Sequence, residues 1–199
     1  MMKVLVACEF SGIVRDAFIS QGHDAISCDL LPSESPGPHI QGDVLDVLAY
    51  RAPEFDLMIA HPPCTHLAVS GARWFKEKRA EQEEALNFVI KLLTAPIPKI
   101  ALENPISIIS TRVRKPNQIV QPWWFGDDAS KATCLWTKGL PALIPTAVVP
   151  PRFVNGKPRW GNQCDSGQNR LGPSEDRWKE RSRTYPGFAL AMATQWGSL

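Results

Sequence analysis

Cys64 follows Pro62-Pro63, Glu103 leads Asn104-Pro105, and each string comes directly after an apolar run that reads as a buried strand. A cysteine presented at the carboxyl end of one parallel strand, with a glutamate at the end of a neighbouring one, sets a thiolate and an acid before a single substrate. That pair suits covalent attack on an electron-poor ring, with the acid protonating or hydrogen-bonding the ring as the thiolate adds. Each residue also has a plainer reading. Cys64 could be a buried structural thiol, because free cysteine is among the most buried residue types. Glu103 could cap the segment after it, although a charge directly behind Ile100-Ala101-Leu102 belongs more readily at a site mouth than in a core. His61, Cys64 and His66 lie close together, but their spacing fits no common zinc signature and no fourth ligand is apparent, so no metal is expected.

The elements that must position these residues alternate. Strands are predicted over Lys3–Cys8, Asp24–Leu30, Asp56–Ala60 and Lys99–Leu102, each short and apolar in the manner of a parallel sheet. Ile13, Val14, Ala17 and Phe18 carry helical spacing after the first strand, and Gly22 ends that helix. Glu77–Leu93 is the strongest helix, with Ala85, Leu86, Val89, Ile90 and Leu93 on one face and Glu81, Glu83 and Glu84 near the end that favours acids. This order predicts an α/β fold with a mostly parallel, doubly wound sheet and ligands at the strand carboxyl ends. From Pro116 onward proline, tryptophan and glycine are frequent, which reads as a loop-rich lobe or an elaborated sheet edge; helical periodicity returns over Phe188–Trp196. No linker divides the chain, so residues 1–199 are expected to form a single domain.

Composition sets the outer bounds. The chain has 199 residues and 44% hydrophobic content, enough for one real core. A net charge of +2 supplies no global field, so any nucleic-acid surface must come from local clusters. The five cysteines include no C-x-x-C pair, which argues against a disulfide framework and for a reducing compartment. No signal peptide and no long apolar span is read, and a cytoplasmic location, in a bacterium or a phage-infected host, is expected.

Taken in order, the motifs resemble a family. Phe10-Ser11-Gly12 after the first strand, Asp29 ending the second, Gly42-Asp43, Pro63-Cys64 and Glu103-Asn104 resemble the ordered motifs of the carbon-5 cytosine DNA methyltransferases. The likeness covers about the first 105 residues and is nearest to the compact members from bacteriophages and prophages, some of them tied to restriction-modification; Lys131-Ala132-Thr133-Cys134-Leu135-Trp136 and Gly139-Leu140-Pro141 are similar to those members too. The resemblance implies a Rossmann-like S-adenosylmethionine-dependent methyltransferase fold with a reduced target-recognition region, which residues 116–160 would supply. It implies Cys64 as nucleophile toward carbon 6 of cytosine, Glu103 at ring nitrogen 3 and Asn104 fixing the loop. It assigns the cofactor S-adenosylmethionine to Phe10, Ser11, Gly12, Asp29, Asp43 and Pro63. Val14-Arg15 depart from the family turn, where a further glycine pair is usual.

DNA is the implied partner, double-stranded with a flipped cytosine or single-stranded. Two basic clusters could meet it: Arg112, Arg114 and Lys115, and Arg170, Arg177, Lys179, Arg181 and Arg183. Either Arg181-Ser182-Arg183 or Gln168-Asn169-Arg170 would stand for the family's glutamine-arginine motif, and Tyr185-Pro186-Gly187-Phe188 resembles the element that returns to complete the cofactor pocket. Three other functions compete; a zinc nucleobase deaminase would need His-x-Glu ahead of Pro-Cys-x-x-Cys, and Pro63-Cys64-Thr65-His66 lacks the second cysteine and the upstream partner. A methyltransferase acting on an exocyclic amine would carry an acceptor and an aromatic ring where His61 and Cys64 stand, and a catalytically silent DNA-binding protein would keep the fold without needing the Cys64 and Glu103 pair.

Overall fold

The computed structural model describes residues 1–69 and 79–199. Strand β1 (Lys3–Ala7) is buried from Val4 through Ala7 because it lies mid-sheet, covered on both faces. Helix α1 (Ile13–Ser20) returns the chain to β2 (Asp24–Asp29), and a proline-rich loop leads to the short β3 (His39–Gln41). Helix α2 (Val44–Arg51) precedes β4 (Leu57–Ala60), and α3 (Arg79–Leu93) precedes β5 (Lys99–Pro105). The first residues of the predicted Glu77–Leu93 helix lie outside the described residues.

These strands build a seven-stranded sheet in the order β3-β2-β1-β4-β5-β7-β6. Strands β1 to β5 are parallel, whereas β7 (Thr133–Lys138) runs antiparallel between β5 and β6 (Gln118–Val120). The stretch after Pro116 is thus in part a sheet edge, and Trp136, fully buried on β7, anchors it through an indole hydrogen bond to the Arg114 carbonyl. Pairing with β7 also explains why β5 outruns its predicted end at Leu102. Glu103, Asn104 and Pro105 face Leu135, Cys134 and Thr133 in register, so the strand continues through the motif instead of stopping before it.

Two apolar layers flank the sheet. Leu5 and Ala7 pack with α2 and α3 through Val47, Leu86 and Val89. Val4 and Val6 pack with Val14 and Phe18 of α1 and with Met192 and Trp196 of α6 (Pro186–Gly197). This is the doubly wound, mostly parallel α/β architecture expected of the chain. Among the described residues no helix is long and apolar enough to cross a membrane. Beside the sheet stands a hairpin, β8 (Arg152–Val154) and β9 (Lys157–Arg159), turned by Asn155 and Gly156 with φ of 50° and 73°. The 160s loop after it is tied to the loop before β7 by reciprocal bonds between Asn162 and Ser130.

Candidate active site

The order of β1 and β4 creates the site. The chain winds outward from β1 to β2 and β3, then restarts on the other side at β4 and β5, so the crevice beyond the ends of β1 and β4 is the topological switch point. The segments leaving those two strands carry Cys8–Ser11 and His61–Cys64.

The β4–β5 register, with Ala60 opposite Leu102, persists past the last backbone pair through side chains. His61 meets Glu103 (Nδ1 to Oε2, 3.2 Å), and Asn104 Nδ2 donates to the Pro62 carbonyl at 2.9 Å. Asn104 is 1% exposed, so that bond forms away from water and fixes the segment that presents Pro63 and Cys64, both exposed. A second clasp follows: Leu67 and Ala68 donate to the Cys64 carbonyl, and Val69 and Ile108 pin the Cys64 loop to the loop after β5.

Charge then differentiates the two candidate catalytic groups. Burial pushes the Glu103 carboxyl up, but the His61 hydrogen bond, the Lys131 charge and the Thr133 hydroxyl outweigh it and hold the group below its ordinary value. Glu103 is therefore ionised at neutral pH and accepts from His61 Nδ1–H. The Cys64 thiol is pushed up by the protein around its sulfur and then by Glu103, while Lys131 and Arg181 pull it partly back. Lys131 and Arg181 are neighbours, since the Lys131 ammonium donates to the Arg181 carbonyl at 3.0 Å.

A pocket at the switch point is lined by Cys8, Glu9, Phe10, Ser11 and His61 from the sheet side and by Ser182, Arg183 and Thr184 from the segment between α5 (Arg177–Ser182) and α6. Its cavity volume is small, about 40 Å³. Phe10 forms a buried wall, and its ring meets Trp178 of α5 with centroids 6.1 Å apart. Asp29 and Asp43 are not in the lining but lie beyond Cys8, whose thiol is raised by burial first and then by Asp29, Cys28 and Asp43. Cys28 is pushed up to about 11 by burial and the same two carboxylates. Asp29 spends one oxygen on Leu31 N–H and is raised chiefly by burial. Asp43 also caps α2 through Leu45 N–H. This set fits a nucleoside-type cofactor: an apolar wall, a turn of backbone and a carboxylate for ribose hydroxyls.

The turn itself is built differently from the usual glycine turn. Gly12 has φ 77°, and a Cβ there would collide with the guanidinium of Arg15, which also fills the space beside Gly37. Arg15 is fully buried, bonding the Ser27 and Ser33 hydroxyls, the carbonyls of Ser35, Pro36 and Pro38, and Asp16. Gly12 therefore admits Arg15, and it is absent from the pocket lining. Glu9, which the sequence did not single out, closes the α1 end by accepting from Val14 N–H, Arg15 N–H and the Ser11 hydroxyl.

The two arginines of Arg181-Ser182-Arg183 part company. Arg181 bears on Cys64, while the Arg183 guanidinium is held by Glu34 and Glu180 and lines the pocket. Arg170 is engaged with the Gln163 carbonyl, and Arg114 reaches the carbonyl of Thr137, opposite Ala101, where the chain has turned back below Glu103. The α6 helix joins the core against α1, leaving Ser182–Thr184 just before it to line the pocket. Lys131, Thr133 and His61 are the residues sequence reasoning missed as partners of Glu103; the polar string ahead of the apolar Cys134-Leu135-Trp136 was the available signal. Among the described residues no group of three or more His, Cys, Asp or Glu side chains is placed to hold a metal.

No protein-family model and no curated protein matches the chain. A solved structure of a candidate DNA modification methyltransferase encoded within an E. coli prophage is similar at 13% identity and a TM-score of 0.46, over 76% of this chain and 53% of that one. The chain thus spans about half the length of that neighbour. At such distance the architecture rests on the strand order itself.

Proposed function

We propose that the chain is an S-adenosylmethionine-dependent DNA (cytosine-5-)-methyltransferase acting through a covalent Cys64 adduct. The observation that carries the reading is the presentation of Cys64 and Glu103 from the ends of adjacent strands, locked together by the Asn104–Pro62 bond, with Lys131 and Arg181 beside the thiol.

In this reading the target cytosine is extruded from the stack and enters over Cys64. The Cys64 thiolate forms a bond to carbon 6, the carbon 5–carbon 6 π pair shifts through carbon 4 to ring nitrogen 3, and that nitrogen takes a proton through Glu103. Lys131 and Arg181 offset in part the burial and the Glu103 charge that raise the Cys64 thiol. Carbon 5 becomes electron-rich; Phe10 and Ser11 of the pocket, with Asp29, Asp43 and Pro63, would hold S-adenosylmethionine, which would supply an electrophilic methyl group there. Loss of the carbon-5 proton and departure of Cys64 restore the aromatic ring. Arg181 is the nearer of the two candidate arginines to steady the flipped base, and the β8–β9 hairpin with the 160s loop offers a reduced surface for flanking DNA, consistent with short or relaxed sequence recognition.

The exocyclic-amine reading is weaker, because Cys64 stands where that chemistry needs an aromatic ring to stack the base. Mass spectrometry of nucleosides from cells expressing the protein tests the proposal. It predicts 5-methyl-2′-deoxycytidine with wild type and none with Cys64→Ser; a base methylated on an exocyclic nitrogen, or no methylation by active-folded protein, would overturn it.

A further inference from the structure

His61 stands between the pocket and the catalytic acid. Its side chain is 8% exposed and lines the pocket at the switch point, while Nδ1 lies 3.2 Å from Glu103 Oε2. The other ring nitrogen, Nε2, is buried with no hydrogen-bond partner, an arrangement that a merely structural histidine avoids. The charged and titratable groups around the ring come from every neighbouring element: Glu103 on β5, Cys8 and Glu9 after β1, Arg183 after α5 and, beyond Glu103, Lys131 before β7. Glu9 is committed to the α1 end and Arg183 to Glu34 and Glu180. Glu103 is thus the one acid bonded to the imidazole among the described residues.

Resting on the cytosine-5 reading, we propose that His61 is a positioning residue that supplies, through Glu103, the proton taken by ring nitrogen 3 when Cys64 adds. Glu103 lies ready as a carboxylate and so has no proton of its own to give. The Nδ1 proton of the His61 imidazolium first moves to Glu103 Oε2, and as the Sγ–carbon 6 bond forms and the electron pair reaches nitrogen 3 the carboxyl swings to give that same proton to the nitrogen. The thiolate is consumed, the imidazolium becomes neutral imidazole, Glu103 ends as it began, and charge balances.

The experiment is the rate of adduct formation on an oligonucleotide carrying 5-fluorocytosine, measured across pH for wild type, His61→Gln, Glu103→Gln and the double variant. Far-UV circular dichroism and S-adenosylhomocysteine binding verify that each variant is folded. Wild type should show a limb that falls with rising pH. His61→Gln, which can still donate to Glu103 but cannot carry a mobile proton, should be slowed about one hundredfold at low pH and lose that limb. The double variant should be no slower than Glu103→Gln alone, because both act on one proton. An unchanged pH profile in His61→Gln, or multiplied effects in the double variant, would overturn the role of His61. Failure of wild type to form any adduct would instead overturn the cytosine-5 reading on which it rests.

Discussion

Cys64 is set among three charges of opposed effect: Glu103 disfavours its thiolate, while Lys131 and Arg181 favour it. Alkylation by iodoacetamide, which follows the thiolate, should therefore be slow in wild type at neutral pH, faster in Glu103→Gln and slower in Lys131→Ala or Arg181→Ala. Opposite directions in the two sets check the electrostatics independently of turnover. Glu103 makes a second testable statement. Its folded value lies below the ordinary one, so its contribution to stability is fully present above the ordinary carboxyl range and is lost as pH falls through the folded value. Denaturant unfolding from pH 7 toward pH 3 should show wild type losing more stability than Glu103→Gln. A steeper acid loss in the variant would mean that Glu103 is not held as a carboxylate by His61, Lys131 and Thr133.

The alternation of apolar runs with helical spacing was enough to read β1, β2, β4, β5, α1 and α6, because parallel strands buried on both faces leave continuous apolar signatures. Cys64 and Glu103 were legible for the same reason, each standing where such a run ends. What was not legible depended on pairing at a distance. The extension of β5 through Glu103 comes from β7, whose polar start at Lys131 and Thr133 hides a strand completed by Cys134, Leu135 and Trp136. Arg15 is the clearest example. In sequence it interrupts a glycine turn; in the fold it is fully buried and staples the loop over residues 31–38 to α1. Arg15→Lys keeps the charge but not the planar fork, so several acceptors lose their donor. Destabilisation of about 2–4 kcal/mol is expected in denaturant unfolding, from an imperfectly satisfied buried charge. A change under about 0.5 kcal/mol, the size of an ordinary surface substitution, would remove that role.

Both candidate sites stand past the carboxyl ends of central strands: the pocket beyond β1 and β4, and Cys64 in the loop after β4, with Trp178 of α5 against Phe10 of the pocket. Calorimetry should accordingly show S-adenosylmethionine binding one to one, weakened about tenfold or more in Asp29→Ala, the loss expected when ribose hydroxyls lose a carboxylate partner; an unaltered affinity would move the cofactor away from the end of β2. The 160s loop is tied through Asn162 to Ser130, next to the Lys131 that bears on Cys64 and Glu103. The central claim is the bond between Cys64 and cytosine. Incubating the protein with S-adenosylmethionine and DNA containing 5-fluorocytosine, then mapping the peptides by mass spectrometry, tests it directly, because fluorine at carbon 5 cannot leave as a proton and the thiolate stays attached. The account predicts a peptide carrying a methylated fluorocytosine nucleotide on Cys64, absent from Cys64→Ser. Methylated cytosine in ordinary DNA with no such adduct on the fluorinated substrate would contradict it.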